Sequence, residues 1–162
     1  MPEQTIPVVR LGEVERDPEA FCRRLGEALA HFGFVAVEDH GIPQAVFDAV
    51  YAEFAAFFAL PEAVKRHYER PEAGRTRGYT SFGVEHAKDR AVPDLKEFFH
   101  VGRAVDPAHP RRARLAPNLW PAERPALRAH CETLFAALDG VAERLLAALG
   151  RFLGADPRRL VE

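Results

Sequence analysis

The feature that most limits what this chain can fold into is one apolar stripe at helical spacing, through Leu127, Cys131, Leu134, Phe135, Leu138, Val141, Leu145, Leu149 and Phe152. Residues 121–153 carry the longest helical signal in the sequence. About thirty residues of helix extend roughly 45 Å, against a diameter of about 26 Å for a compact small domain. Part of this helix is therefore expected to support something larger, or to be shortened by a break at Gly140, which with Gly150 weakens the pattern locally. The strand candidates are too few to close a barrel or build a two-layer sandwich.

The remaining segments alternate between strand and helix signals. Residues 6–11 are a short β-branched and aliphatic run. Asp17-Pro18-Glu19 then supplies an N-cap, a first-turn proline and an early carboxylate for a helix over 18–31, with Phe21, Leu25, Ala28 and Leu29 on its apolar face. Gly33 stops that helix before a second β-rich run, Phe34-Val35-Ala36-Val37. After the turn His40-Gly41-Ile42-Pro43, a stripe of Val46, Phe47, Val50, Phe54, Phe57 and Phe58 predicts a helix ending at Leu60-Pro61. Aromatic residues at this spacing read as core packing, not as a ligand box. A short helix over 61–68, a Pro, Gly and Arg-rich loop over 70–77, strands over 78–82 and 95–101, and a proline-rich connection over 106–118 follow. The fold class is α/β in the α+β sense.

At 162 residues with 48% hydrophobic and 28% charged content, the chain is an ordinary globular sequence that needs neither disulfides nor metal to fold. A net charge of −2 argues against a dedicated nucleic-acid partner. All but Lys65, Lys88 and Lys96 of the 22 basic residues are arginine, which reads as coding bias. Cys22 and Cys131 form no CxxC pair, and a reducing cytoplasm is the expected location. No run of 18 apolar residues and no basic start followed by an apolar core is present, so no membrane association is expected. Asp156-Pro157 begins another helix signal close to Glu162, which suggests the front part of a longer polypeptide.

Several stretches now line up in order: residues 6–11; Gly33 through Pro43; Phe57-Phe58-Ala59-Leu60-Pro61 with Lys65; Arg77-Gly78-Tyr79 with Glu85; Asp94-Leu95-Lys96-Glu97-Phe98-Phe99; and Asn118-Leu119-Trp120-Pro121. In this order the chain resembles, over almost its whole length, the N-terminal region of the isopenicillin N synthase-like non-haem iron(II), 2-oxoglutarate-dependent dioxygenases. The resemblance implies an oxygenase of small molecules and a double-stranded β-helix (jelly-roll) core largely missing from this chain. It also implies that residues 1–121 form the dioxygenase N-terminal domain, while 122–162 are the long support helix and the start of the next helix. Iron(II) and 2-oxoglutarate would serve the full-length enzyme, with none on residues 1–162 alone. The expected partners are a small-molecule substrate and the chain's own C-terminal jelly roll. The alternative is a non-catalytic interaction or scaffolding module derived from the family.

The family's iron ligands, a His-x-Asp pair and a distal His, have no counterpart here. His67-Tyr68-Glu69 with His130 imitates such a set, but His67 closes a short helix and His130 lies in the long one, whereas a facial triad needs ligands convergent on rigid neighbours. Glu85-His86-x-x-Asp89 reads as solvated surface, and His40 as a residue that bonds to backbone and holds its turn. Arg111, Arg112 and Arg114 read as a solvated loop. By the period-two rule Leu95, Glu97, Phe99 and Val101 share one strand face, and Lys96, Phe98 and His100 the other. The corresponding strand of the family passes beside the active-site cavity. Glu97 and Phe99, with Tyr79 or Thr80 from the preceding strand, are therefore the substrate-cavity candidates, Phe99 having an alternative place in the core.

Overall fold

The computed structural model describes residues 5–86, 88, 92–104, 106, 108–110 and 115–161. Asp89, Arg111, Arg112 and Arg114 lie outside the described residues. The chain divides into two compact units, Met1–Pro43 with Ala136–Glu162, and Gln44–Phe135.

In the first unit, β1 (Val8–Arg10) pairs in parallel with β2 (Ala36–Glu38), placing Val9 opposite Val37. A parallel pair needs a crossover, and α1 (Pro18–Phe32) supplies it. The helix begins where its sequence says, with Asp17 accepting a hydrogen bond from Ala20 N at 3.1 Å and Pro18 in the first turn. It ends at Gly33, whose φ of 78° is the left-handed cap and whose N–H bonds Leu29 O at 2.9 Å. The buried face of α1 (Phe21, Cys22, Leu25) meets Val9, Leu11 and Ala148, with Val141, Leu145 and Leu149 packed around them. Leu11, Phe21 and Leu25 are fully buried, worth roughly 1.5–3 kcal/mol each. Gly26 is required by contact: a Cβ there would lie 2.3 Å from the ring of Phe152.

The second unit contains α2 (Gln44–Phe58), α3 (Glu62–Arg66) and an antiparallel pair, β3 (Gly78–Thr80) with β4 (Phe98–His100), in which Tyr79 faces Phe99. Val50, Leu127 and Cys131 form its cluster with Phe54, Val101, Trp120 and Leu134. Both strands are shorter than the sequence predicts. Leu95 is 92% exposed, and the segment before β4 is taken up by Lys96 pairing with Glu85 at 2.8 Å and Asp94 at 3.3 Å.

The long helix, α4 (Leu127–Phe152), is 26 residues, about 39 Å at 1.5 Å per residue. It gives its first turns to the second unit and its later turns to the first. The expected break at Gly140 does not occur: a Cβ there would meet nothing within 4 Å, so the glycine sits at an open position and costs only helix propensity, about 1 kcal/mol. The helix starts six residues later than the periodicity suggests. Pro125 lacks an N–H and pushes Arg124 out of the helical region, and residues 121–126 form turns instead, with Arg124 N bonded to Pro121 O at 3.0 Å. Among the described residues no helix is long and apolar enough to cross a membrane.

Gly78 has φ of 78°, and a Cβ there would stand 2.2 Å from Tyr68 O, the carbonyl that accepts Tyr79 N at 2.9 Å. Gly78→Ala is expected to cost at least about 2 kcal/mol, whereas Gly140→Ala should add about 1 kcal/mol of stability. Urea unfolding of the two variants beside the parent chain checks both signs.

Candidate functional site: the Lys65, Tyr79 and Glu97 cluster

Three of the four cavity candidates meet in one cluster, together with a residue whose role the sequence left unread. Pro61 turns the chain after α2, and the single extra turn of α3 brings Lys65 back to the end of α2, where its ammonium donates to Phe58 O at 3.1 Å. A cation at that place satisfies an orphan carbonyl and complements the negative end of the helix. The same ammonium donates to Glu97 Oε2 at 2.6 Å, and the Tyr79 hydroxyl donates to that oxygen as well. Lys65 is 7% exposed and Tyr79 is fully buried, so this is an internal network. The ammonium also lies 5.5 Å from the centre of the Tyr79 ring.

Burial pushes the Glu97 carboxyl up, but the hydrogen bonds from Lys65 and Tyr79 and the charge of Lys65 outweigh it, leaving the group below the ordinary glutamate value. Burial, then the bond to the Glu97 carboxylate, holds the Tyr79 phenol well above the usual tyrosine range. At neutral pH Glu97 is therefore a carboxylate and Tyr79 a neutral phenol.

Aromatic rings wall the cluster in. Phe57 contacts Phe99 at 5.0 Å, Phe58 at 5.5 Å, and Tyr68 and Tyr79 each at 6.0 Å between ring centres, all edge-on. Phe99 also touches Phe54 at 5.8 Å, so its core alternative describes one side of the ring. Thr80 stands apart from the network: it is 1% exposed, and its hydroxyl is buried without a hydrogen-bond partner.

The histidines behave as turn and helix residues. His40 Nδ1 accepts from Ile42 N at 3.0 Å, holding the turn before α2. His67 Nδ1 lies 2.9 Å from Ala63 O at the end of α3. Among the described residues no group of three or more His, Cys, Asp or Glu side chains is placed to hold a metal ion. The described side chains thus do not by themselves assemble an iron site. Cys131 is buried, and burial pushes its thiol up to about 11. The pairing of Lys65 with Glu97 across 32 residues of sequence is what sequence reasoning missed. Both residues stood in the quoted motifs, but nothing local marks them as partners.

Glu97→Gln leaves Lys65 buried without its counter-charge and is expected to cost about 3 kcal/mol at neutral pH. Lys65→Met combined with Glu97→Gln should cost less than the sum of the two single changes. Because the folded carboxyl is depressed, its contribution is full above the unfolded glutamate value, near 4.3, and is lost as pH falls through the folded value. The stability gap between the parent chain and Glu97→Gln, followed by urea unfolding, should therefore close as pH falls below about 4. The raised Tyr79 phenol acts at the other end: its contribution is full below about pH 10 and is lost as pH rises beyond.

Residues 6–123 match the family model described as the N-terminal region of the non-haem dioxygenase in morphine synthesis. A proline hydroxylase of Petromyces alliaceus is 33% identical over 87% of this chain and 44% of its own length. A 2-oxoglutarate-Fe(II) type oxidoreductase of Metarhizium rileyi is 31% identical over 88% of this chain and 42% of its own length. Among solved structures, a protein of Caulobacter crescentus ascribed to the 2OG-Fe(II) oxygenase family superposes with a TM-score of 0.85 at 38% identity, over 94% of this chain and 50% of that one. The chain thus spans less than half the length of these two sequence relatives. The ordered motifs and the fold agree with these matches, and the chain belongs to the non-haem dioxygenase N-terminal family, with relatives here that include a hydroxylase and proteins described as 2-oxoglutarate-Fe(II) enzymes.

Proposed function

We propose that the chain is the N-terminal portion of an iron(II)- and 2-oxoglutarate-dependent oxygenase that oxidises a small molecule, and that it supports the catalytic sheet and shapes the substrate cavity. The observation that carries this reading is the family match over residues 6–123, joined to a relative named as a 2-oxoglutarate-Fe(II) type oxidoreductase and another named as a proline hydroxylase. In this reading residues 1–121 are the N-terminal domain, and 122–162 lead through α4 into a jelly roll that holds the metal. The iron, with 2-oxoglutarate, supplies oxidation by dioxygen when bound. The enzyme works in the cytoplasm, with Cys22 and Cys131 as thiols.

Within the N-terminal portion the four candidates divide by what they are free to do. Glu97 and Tyr79 spend their hydrogen bonds on each other and on Lys65, so they position β3 and β4. Phe99, opposite Tyr79 and set on Phe54 and Phe57, walls the cluster on that face, while Thr80, on the other face with an unsatisfied hydroxyl, is the residue that meets substrate.

The test uses the whole protein encoded by the gene that contains this chain. Supplied with iron(II), it should convert 2-oxoglutarate to succinate, faster when its small-molecule substrate is present. Thr80→Val should raise the substrate KM about three- to tenfold, the worth of one hydrogen bond, and leave the KM for 2-oxoglutarate unchanged. A whole protein that consumes no 2-oxoglutarate, or a variant that moves only the 2-oxoglutarate KM, overturns the reading.

A further inference from the structure

Two arginines of the loop before β3 hold buried donors without a hydrogen-bond partner among the described residues. After the short turn Pro71–Ala73, Gly74 and Arg75 are successive left-handed residues, with φ of 63° and 54°. For arginine that backbone is strained, and a strained residue persists only where its surroundings hold it. They do: Arg75 N bonds Arg70 O at 3.2 Å, and Arg75 O lies 3.1 Å from His100 Nδ1 at the end of β4.

Arg77 reaches the same end of the hairpin. Its guanidinium lies across Gly102, where a Cβ would stand 2.1 Å from the guanidinium carbon and would push it aside. Gly102 is itself fixed, because Asn118 accepts from its N–H at 2.8 Å and donates to its carbonyl at 2.7 Å. Arg77 Nη1 donates to Thr76 O at 2.6 Å, which fixes the orientation of the fork.

With the Arg75 backbone and the Arg77 side chain held this way, Arg75 Nη1 and Arg77 Nε are shut off from solvent and have no hydrogen-bond partner among the described residues. A guanidinium cannot shed its proton, and an unmet buried donor on a charged group is among the more costly vacancies a fold can carry. Most of the other charged side chains of the loop are matched among themselves. Arg70 bonds the carbonyls of His67 and Glu69 and lies 3.9 Å from Glu72. Glu69 has one buried oxygen without a partner, but no ion pair among the described residues joins it to Arg75 or Arg77. The chemistry that completes two N–H donors on two cations is an oxyanion, and a group with two oxygens accepts one bond from each.

We propose that Arg75 and Arg77, laid against His100 and Gly102 at the end of the β3 and β4 hairpin, form a subsite for the carboxylate or phosphate group of a small molecule. This deepens the reading of β3 and β4 as cavity strands and rests on it: the substrate is then an anionic small molecule, held at its charged end by this subsite.

The test reads binding directly and requires neither iron nor turnover, so its result is independent of whether the whole protein proves to be an oxygenase. In the nitrogen-15-labelled whole protein encoded by the gene that contains this chain, the Arg77 Nε–H resonance is followed during titration with sodium propionate, with inorganic phosphate, and with sodium chloride at matched ionic strength. A saturable shift with propionate or phosphate, absent with chloride, is expected, and the anion that produces it tells whether the substrate is a carboxylic acid or a phosphate ester. Arg77→Lys and Arg75→Lys keep the charge and lose the fork, and each should weaken that affinity about ten- to a hundredfold. If Arg77→Lys does not fold, the parent titration and Arg75→Lys decide. A shift that follows ionic strength alone, an unmoved Arg77 signal, or affinity unchanged in the lysine variants overturns the proposal.

Discussion

One carboxylate oxygen organises the second unit. Glu97 Oε2 accepts from Lys65 and from Tyr79, and the same Lys65 ammonium closes the last carbonyl of α2. The end of α2, the helical turn of α3, and both strands of the hairpin therefore share one point of attachment. The hairpin requires it, because two strands of three residues each cannot stand on backbone hydrogen bonds alone. The aromatic rings about Phe57 add roughly 0.5–1.5 kcal/mol per edge-on pair beyond the area they cover. The ion pair adds little net energy over an apolar replacement of the same shape; what it supplies is register, since a slipped strand strands a buried charge.

What could be read from the sequence is what is decided within one turn of chain. The Asp17 and Pro18 start of α1, its Gly33 stop, and the His40 turn are local hydrogen bonds between residues at most four apart, and each stands as the sequence implies. The apolar stripe of α4 was legible for the same reason. Its start was misplaced because apolar spacing continues through Pro125 although the backbone does not. Strand lengths were overestimated because nothing in Leu95 or Phe82 tells whether a partner lies alongside, and both are exposed.

Of the candidate residues, Tyr79, Thr80 and Phe99 lie on paired strands, with Tyr79 opposite Phe99 and Thr80 opposite Phe98, while Glu97 stands just before β4. Lys65 as partner of Glu97 depends on the turn at Pro61, and Arg77 against Gly102 depends on where β4 ends. Such pairings follow from tertiary placement and leave no mark on a single sequence.

The distribution of unmet hydrogen bonds then separates support from recognition. A carboxylate in a cavity strand invites a role in binding substrate, yet the Glu97 carboxylate already carries its cation and its phenol, and a ligand bonded to it would have to displace one of them inside a nearly closed cluster. Thr80, Arg75 and Arg77 stand oppositely, with hydrogen-bonding atoms buried and idle. Folding alone gains nothing by burying polar atoms this way, and a partner that bonds them recovers what their desolvation cost. In the proposed reading, polar recognition by this unit belongs to the groups its own fold leaves unmatched, while Glu97 is spent on Lys65 and Tyr79.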